Sequence, residues 1–107
     1  MSGDRLAVRA TPDFFDDLDR QLGHERGSHG EPSTNDFQSF ELLEIVERFA
    51  ANFFELPELI PGRLDYRVLI ATGLLVRGLT VVGQLAPDGA VELISLELEL
   101  DLGTDFS

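Results

Sequence analysis

Three arginines and a tyrosine in the second half of the chain have side chains that could bind phosphate or an acidic partner. They are Arg63, Tyr66, Arg67 and Arg77. The planar guanidinium presents five N–H donors that suit phosphate and carboxylate oxygens. A tight turn between two predicted strands would place Arg67 opposite Gly78, next to Arg77. These residues form a candidate functional face, and the structural alternative is pairing of the arginines with Glu97 or Glu99 across the sheet.

Two further clusters of titratable residues have simpler structural interpretations. The first cluster is His24, Glu25, His29 and Glu31. It lies in a glycine-rich loop and matches no metal-ligand spacing, so we interpret it as a solvated loop and predict no metal site. The second cluster is Asp13, Asp16, Asp17 and Asp19. Acidic residues suit the start of a helix, and the others are typical of a solvated helix face.

The sequence assigns no catalytic residue and no cofactor. It contains no Ser/His/Asp set, no phosphate-binding glycine loop and no dinucleotide fingerprint. These absences favour a protein that is not an enzyme.

Composition limits the remaining classes of function. The 107 residues suit one domain, 43% of them are hydrophobic, and there is no cysteine to form disulfides. The net charge is −12 and all eight basic residues are arginine. A surface this acidic repels phosphate backbones, so direct nucleic-acid binding is not expected. With no signal peptide and no membrane-spanning stretch visible, the sequence predicts a cytoplasmic protein.

Local signals predict the order β-α-α-β-β-β. Thr11 and Pro12 begin a helix over residues 12–22, after a short strand at residues 6–10. A flexible loop over residues 23–32 precedes a longer helix, which begins at a capping box of Ser33 and Asp36 and ends before Pro57. Three strands follow, over residues 66–71, 74–85 and 91–102, and a short tail covers residues 103–107.

Turns and alternation then define the predicted sheet. We expect turns at residues 72–73 and 86–89, and a β-bulge near Gly78. The last strand alternates apolar residues with mostly acidic ones. Its apolar side, expected on the helices, is Ile94, Leu96, Leu98, Leu100 and Leu102. We therefore predict an α+β domain in which an antiparallel sheet packs against a helical hairpin, with apolar sheet surface left for the first helix, a second copy or a partner.

The element order and two segments of the sequence together suggest a known family. A short strand leads directly into ATPDFFDDLDRQL, and the connection LPELIPGRLDYRVLIA leads into a three-stranded meander. This order, with the Tyr-Arg-Val segment at residues 66–68, resembles the RelE/ParE toxin superfamily of bacterial toxin–antitoxin modules. The similarity extends over about residues 5–102.

The resemblance implies a growth-inhibiting toxin that an antitoxin binds and neutralises. RelE-like members cut mRNA on the ribosome, and ParE-like members poison DNA gyrase. RelE-like members use basic residues, and often a tyrosine, on the concave face of the sheet. The resemblance carries this role to Arg67, with Arg77 on the next strand and Tyr66 as a general acid.

The charge of the last strand departs from the RelE pattern. Glu97, Glu99 and Asp101 stand where RNA cleavage would need cations to stabilise phosphate. The sequence therefore predicts a ParE-like or catalytically silent toxin-like component that acts by binding an antitoxin-like protein. The alternatives are an acidic interaction module of the immunity type and a homodimeric regulatory protein.

Overall fold

The helices and strands follow the predicted order, except that the second predicted helix is divided, in a computed structural model that describes residues 5–23, 32–73 and 76–99. The strands are β1 (Val8–Ala10), β2 (Tyr66–Ala71), β3 (Gly78–Leu85) and β4 (Val91–Glu99). The helices are α1 (Pro12–Gln21), α2 (Thr34–Asp36) and α3 (Leu42–Asn52). A π-helical turn (Phe37–Glu41) joins α2 to α3, and a 3₁₀ turn (Phe53–Glu55) follows α3. The α+β fold class is confirmed.

The predicted starts of both helical segments and the predicted turn at residues 86–89 are confirmed. The Thr11 hydroxyl accepts a hydrogen bond from the N–H of Phe14, and Pro12 occupies the first turn of α1. Ser33 and Asp36 form a reciprocal capping box at the start of α2, with distances of 3.0 and 3.1 Å. Gly89 has a φ of 91°, a left-handed conformation that glycine adopts without strain and that lets the chain turn between β3 and β4.

The sheet is mixed, whereas the sequence predicts a purely antiparallel one. Its strand order is β1-β4-β3-β2, and the short β1 runs parallel to β4 while the other pairs are antiparallel. The predicted position of Arg67 opposite Gly78 is wrong, because Arg67 pairs with Gly83. The connection between β2 and β3 is longer than a tight turn: Ala71 pairs with Leu79, and residues 72–77 lie between the two paired strands.

The bulge lies in the middle of the β3–β4 pair and not near Gly78. Val82 pairs with Ser95 while Gly83 pairs with Leu93, which leaves Ile94 as the extra residue. A Cβ atom on Gly83 would lie 2.5 Å from Cε1 of Phe49, so the ring occupies the space that any larger residue would need. Close approach of α3 to the sheet therefore accompanies the bulge. Ile94 is only half-buried and lies outside the core cluster, contrary to its predicted place on the helix-facing side.

One hydrophobic cluster joins both helical segments to the sheet. Its largest fully buried members are Phe14, Leu18, Phe37, Ile45, Phe49, Phe53, Val81, Val91, Leu93 and Leu96. Leu96 and the partly buried Leu98 occupy the helix side of β4, as their alternation predicts. In the parts of the chain that the structure describes, no helix is both long and apolar enough to span a membrane.

The π-helical turn brings a carboxylate into the protein interior. Glu41 ends this turn and is only 2% exposed. Its carboxylate lies beside Gly73, where a Cβ atom would stand 2.8 Å from Oε2 of Glu41 and 2.7 Å from Cγ2 of Val76. A side chain at residue 73 would displace these atoms, so the glycine permits the end of β2 to approach the helix.

Side chains of α1 satisfy one edge of β4. β1 pairs only with Val91 to Leu93, which leaves the later residues of β4 without a strand on that side. There the Asp17 carboxylate accepts from the N–H of Leu96 at 2.9 Å. Gln21 accepts from the N–H of Leu98 at 2.7 Å and donates to the carbonyl of Leu96 at 2.8 Å. Two helix side chains thus take the place of a neighbouring strand.

The contact between Asp17 and β4 makes stability depend on pH. The N–H of Leu96 lowers the pKa of Asp17 from its ordinary value; desolvation opposes the shift and Arg20 adds to it. Because the folded pKa is lowered, the stabilisation is present above the unfolded pKa of about 4 and is lost as pH falls through the folded value.

We expect Asp17→Ala to lower the free energy of unfolding by about 1–3 kcal/mol at neutral pH, since it leaves the Leu96 N–H without an acceptor. The difference in unfolding free energy between the variant and the wild type should become smaller at acidic pH. Urea unfolding near pH 7 and near pH 3 measures this, with the exposed Asp19→Ala as the matched control. Equal losses for the two variants at neutral pH would contradict the assignment.

Candidate functional site

Arg67 is buried, although the sequence predicts it on a functional face. It is 7% exposed on β2, and its guanidinium donates three hydrogen bonds to backbone carbonyls. Nε donates to Leu64 at 3.0 Å, and Nη1 donates to Phe54 at 3.2 Å and to Leu56 at 2.9 Å. The guanidinium carbon also lies 5.7 Å from the ring centroid of Phe53 and 5.6 Å from that of Phe54. Arg67 therefore fastens the end of the helical segment to the chain that follows it.

The chemistry of a helix end explains why an arginine occupies this place. The last carbonyls of a helix have no donor within the helix, and they carry the negative end of its dipole. A guanidinium supplies several donors in one plane and stays charged when buried. No carboxylate within the described parts of the chain forms an ion pair with Arg67. For Arg67, the alternative of cross-strand pairing with Glu97 or Glu99 is therefore wrong as well.

The segment that Arg67 holds, residues 56–65, is called the connector below. It lies against the outer edge of β2: the N–H of Val68 donates to Pro57 at 3.0 Å, and the N–H of Leu59 donates to Tyr66 at 3.2 Å. Glu58 also accepts a hydrogen bond from the N–H of Gly62 at 2.9 Å. The connector is thus a folded loop with a defined position on the sheet.

Four large apolar side chains project from the connector and from the 3₁₀ turn before it. They are Phe54, Leu59, Ile60 and Leu64, with exposures of 59%, 45%, 46% and 60%. We call this set the connector surface. Phe54 and Leu64 are close together because their carbonyls accept from the same guanidinium. Single exposed apolar residues are common on proteins, but a group on one anchored segment is typical of an interaction site.

Three of the four predicted site residues lie at this end of β2. Arg63 pairs with Asp65 at 3.0 Å, which lowers the pKa of the Asp65 carboxyl. The Arg63 guanidinium also lies 4.7 Å from the ring centroid of Tyr66, which is half-buried as a packing residue would be. Arg63, Tyr66 and Arg67 therefore form one cluster, but as supports of the connector and not as a row of exposed cations.

Arg77 is separate from this cluster. It is exposed just before β3, and its backbone N–H donates to the carbonyl of Glu99 at 2.9 Å. It lines a shallow depression of about 500 Å³ together with Thr80, Glu97 and Glu99. The depression mixes one cation with two carboxylates, so its charge does not favour phosphate.

The other titratable clusters do not form a site in the described part of the chain. The loop residues His24, Glu25, His29 and Glu31 lie outside the described residues, as does the tail over residues 103–107. Elsewhere in residues 5–23, 32–73 and 76–99, no three His, Cys, Asp or Glu side chains are arranged to hold a metal ion. Of the aspartates of α1, Asp17 accepts a hydrogen bond from the backbone of β4 and Asp19 is exposed.

Comparison with protein-family models, with curated proteins and with solved structures found no match for this chain. The resemblance to RelE/ParE toxins stays a prediction. Functional assignment depends on the geometry of the connector surface and on the element order.

Replacing the guanidinium tests its role in holding the connector. We expect Arg67→Met to lower the free energy of unfolding by about 2–4 kcal/mol, because three carbonyls lose a charged donor. Arg77→Met removes the same group from an exposed site and should change stability by less than about 0.5 kcal/mol. Urea unfolding measures both variants. If the two variants unfolded at the same urea concentration, Arg67 would not be the residue that holds the connector.

Proposed function

We propose that this protein acts by binding another protein through the connector surface, as the toxin-like half of a bacterial toxin–antitoxin pair. The observation that carries the binding role is the set of four exposed apolar side chains on a segment fastened by a buried arginine. The assignment to the toxin-like class rests in addition on the resemblance to RelE/ParE toxins in element order and in the Tyr-Arg-Val strand. The proposal places the protein in the cytoplasm, and a chain without cysteine suits that compartment.

The connector surface has the composition of an interface centre. Aromatic and aliphatic side chains that fill pockets on a partner supply most of the binding energy in protein complexes. Their backbone is already held by Arg67 and by the edge of β2, so binding does not have to order the segment. Such pre-organisation improves affinity because less conformational entropy is lost.

The charge around the connector surface indicates what kind of partner fits. Glu55 and Glu58 are exposed beside the apolar residues, and the whole chain carries a net charge of −12. A partner segment with apolar side chains flanked by lysine or arginine would complement both features. An antitoxin-like protein with such a segment is the expected partner.

The placement of the arginines supports protein binding over mRNA cleavage. Arg67, to which the resemblance carries a catalytic role, spends its donors on backbone carbonyls. Arg63 is paired with Asp65. Among the described residues, three arginines form no ion pair with a carboxylate: Arg48, Arg67 and Arg77. Arg48 and Arg77 lie in two separate depressions of the surface. Phosphate stabilisation needs several converging cations, and these positions do not supply them.

The test combines growth with a binding measurement. We expect induced expression in a bacterium to slow growth. We also expect a small open reading frame to lie beside the gene, and its co-expression to restore growth. The purified product of that frame should bind the wild-type protein. The double variant Leu59→Ser/Leu64→Ser should bind it at least about tenfold more weakly, a loss of about 1.4 kcal/mol. Calorimetry measures the affinity.

Leu43→Ser is the matched control, because Leu43 is 65% exposed on α3 and outside the connector surface. It should bind like the wild type. Equal affinity of the double variant and the control would refute the connector surface as the binding site. Normal growth together with binding that needs the connector surface would instead identify an immunity-type module, the alternative that the acidic charge favours.

A further inference from the structure

The connector covers only one half of the outer edge of β2. The N–H of Leu85 donates to the carbonyl of Asp65, so the odd-numbered residues of β2 direct their backbone groups toward β3. The backbone groups of Tyr66, Val68 and Ile70 therefore point away from the sheet, and alternation continues this to Thr72. The connector forms hydrogen bonds with the carbonyl of Tyr66 and with the N–H of Val68.

The other half of the edge is open. In the described part of the chain, no hydrogen bond is formed by the carbonyl of Val68, by the N–H or carbonyl of Ile70, or by the N–H of Thr72. The Ile70 side chain is 72% exposed, more than any other large apolar residue described. Edge strands are normally protected by lysine, proline, a bulge or a covering segment, and this half has none of them.

The four open groups form a set that is complementary to itself. Along the strand they run carbonyl, N–H, carbonyl and N–H, and they are symmetric about Ile70. If two copies of β2 lie antiparallel with Ile70 opposite Ile70, the two isoleucines exchange a pair of hydrogen bonds. Each Thr72 N–H then donates to the carbonyl of Val68 in the other copy. Every open group is satisfied, and the two exposed isoleucine side chains come into contact.

We propose that the open half of β2 pairs with the same segment of a second copy of this chain. The two four-stranded sheets then form one continuous sheet through a two-fold axis at Ile70. This pairing does not depend on the toxin-like assignment or on the connector surface.

The length and the charge of the open segment favour pairing with a second copy of this chain over pairing with a strand of another protein. The incoming strand must end opposite Val68, because Pro57 already accepts from the N–H of that residue. β2 fits this limit, since its last residue is Ala71. The open segment, residues 68–72, carries no charged side chain although the net charge of the chain is −12. Two acidic chains can therefore pair there through an interface strand that carries no charged side chain.

Sedimentation equilibrium tests the pairing. We expect the wild-type protein to form dimers whose dissociation constant falls as salt rises from about 0.05 to about 0.5 M, because salt screens the repulsion between two acidic chains. Ile70→Lys places two ammonium groups at the axis and should weaken dimerisation at least about tenfold. Leu64→Lys adds the same charge at an exposed residue of the connector surface and should leave dimerisation within about twofold of wild type.

Other results would overturn the proposal. A wild-type protein that stays monomeric at high micromolar concentration in both salts would remove it. If Ile70→Lys lowered the affinity of that monomer for an antitoxin-like protein encoded beside the gene, the edge would receive a partner strand instead of a second copy. Equal weakening by Ile70→Lys and Leu64→Lys would place the dimer contact on the connector surface and not on the strand edge.

Discussion

The buried guanidinium of Arg67 is the interaction on which the functional end of the molecule depends. A positive charge in a protein interior is costly unless its donors are occupied, and here three backbone carbonyls occupy them. One of these bonds satisfies the carbonyl of Phe54 in the 3₁₀ turn that ends the helical segment, and the other two satisfy carbonyls of the connector. One side chain therefore fixes the exit of the helical segment, the connector and the strand that carries it.

The two long outer edges of the sheet are protected by different means. On β4, Asp17 and Gln21 reach from α1 and bond the backbone directly, so side chains replace a strand. On β2, a loop replaces a strand, but only along the first half. The difference follows from the direction of the covering elements. The helix α1 lies beside β4 and brings Asp17 and Gln21, one turn apart, to its backbone, whereas the connector leaves the edge of β2 at Pro57.

Local chemistry in the sequence predicts much of this fold, and non-local geometry accounts for what it misses. Thr11, Ser33 with Asp36, and the turn at residues 86–89 each satisfy a nearby backbone group, so their signals are present in a few neighbouring residues. Strand register has no such local signal. It depends on where β3 meets β2, and a connection longer than a two-residue turn moved the partner of Arg67 from Gly78 to Gly83.

The candidate site shows the same division. Arg63, Tyr66 and Arg67 are recognisable in sequence as a cluster, because they lie within five consecutive positions. Their role is not recognisable, since it depends on carbonyls up to thirteen residues away in the chain. Sequence patterns do not predict the connector surface for a related reason: its apolar residues follow neither helical nor strand spacing. Its one available signal was an apolar-rich segment between Pro57 and Leu64 that no regular element would bury.

The end of β2 shows how the helical segment limits what the sheet can do. Glu41 is brought inward by the π-helical turn, and its carboxylate lies where a side chain at residue 73 would stand. A larger residue there would displace the Glu41 carboxylate, and β2 ends two residues earlier at Ala71. Pro57 limits the open edge at Val68 from the other side. The exposed segment of β2 is thus bounded at both ends by contacts with the helical segment and the connector. A strand edge of only five residues, fixed at both ends, limits pairing to one short register and makes indefinite strand addition unfavourable.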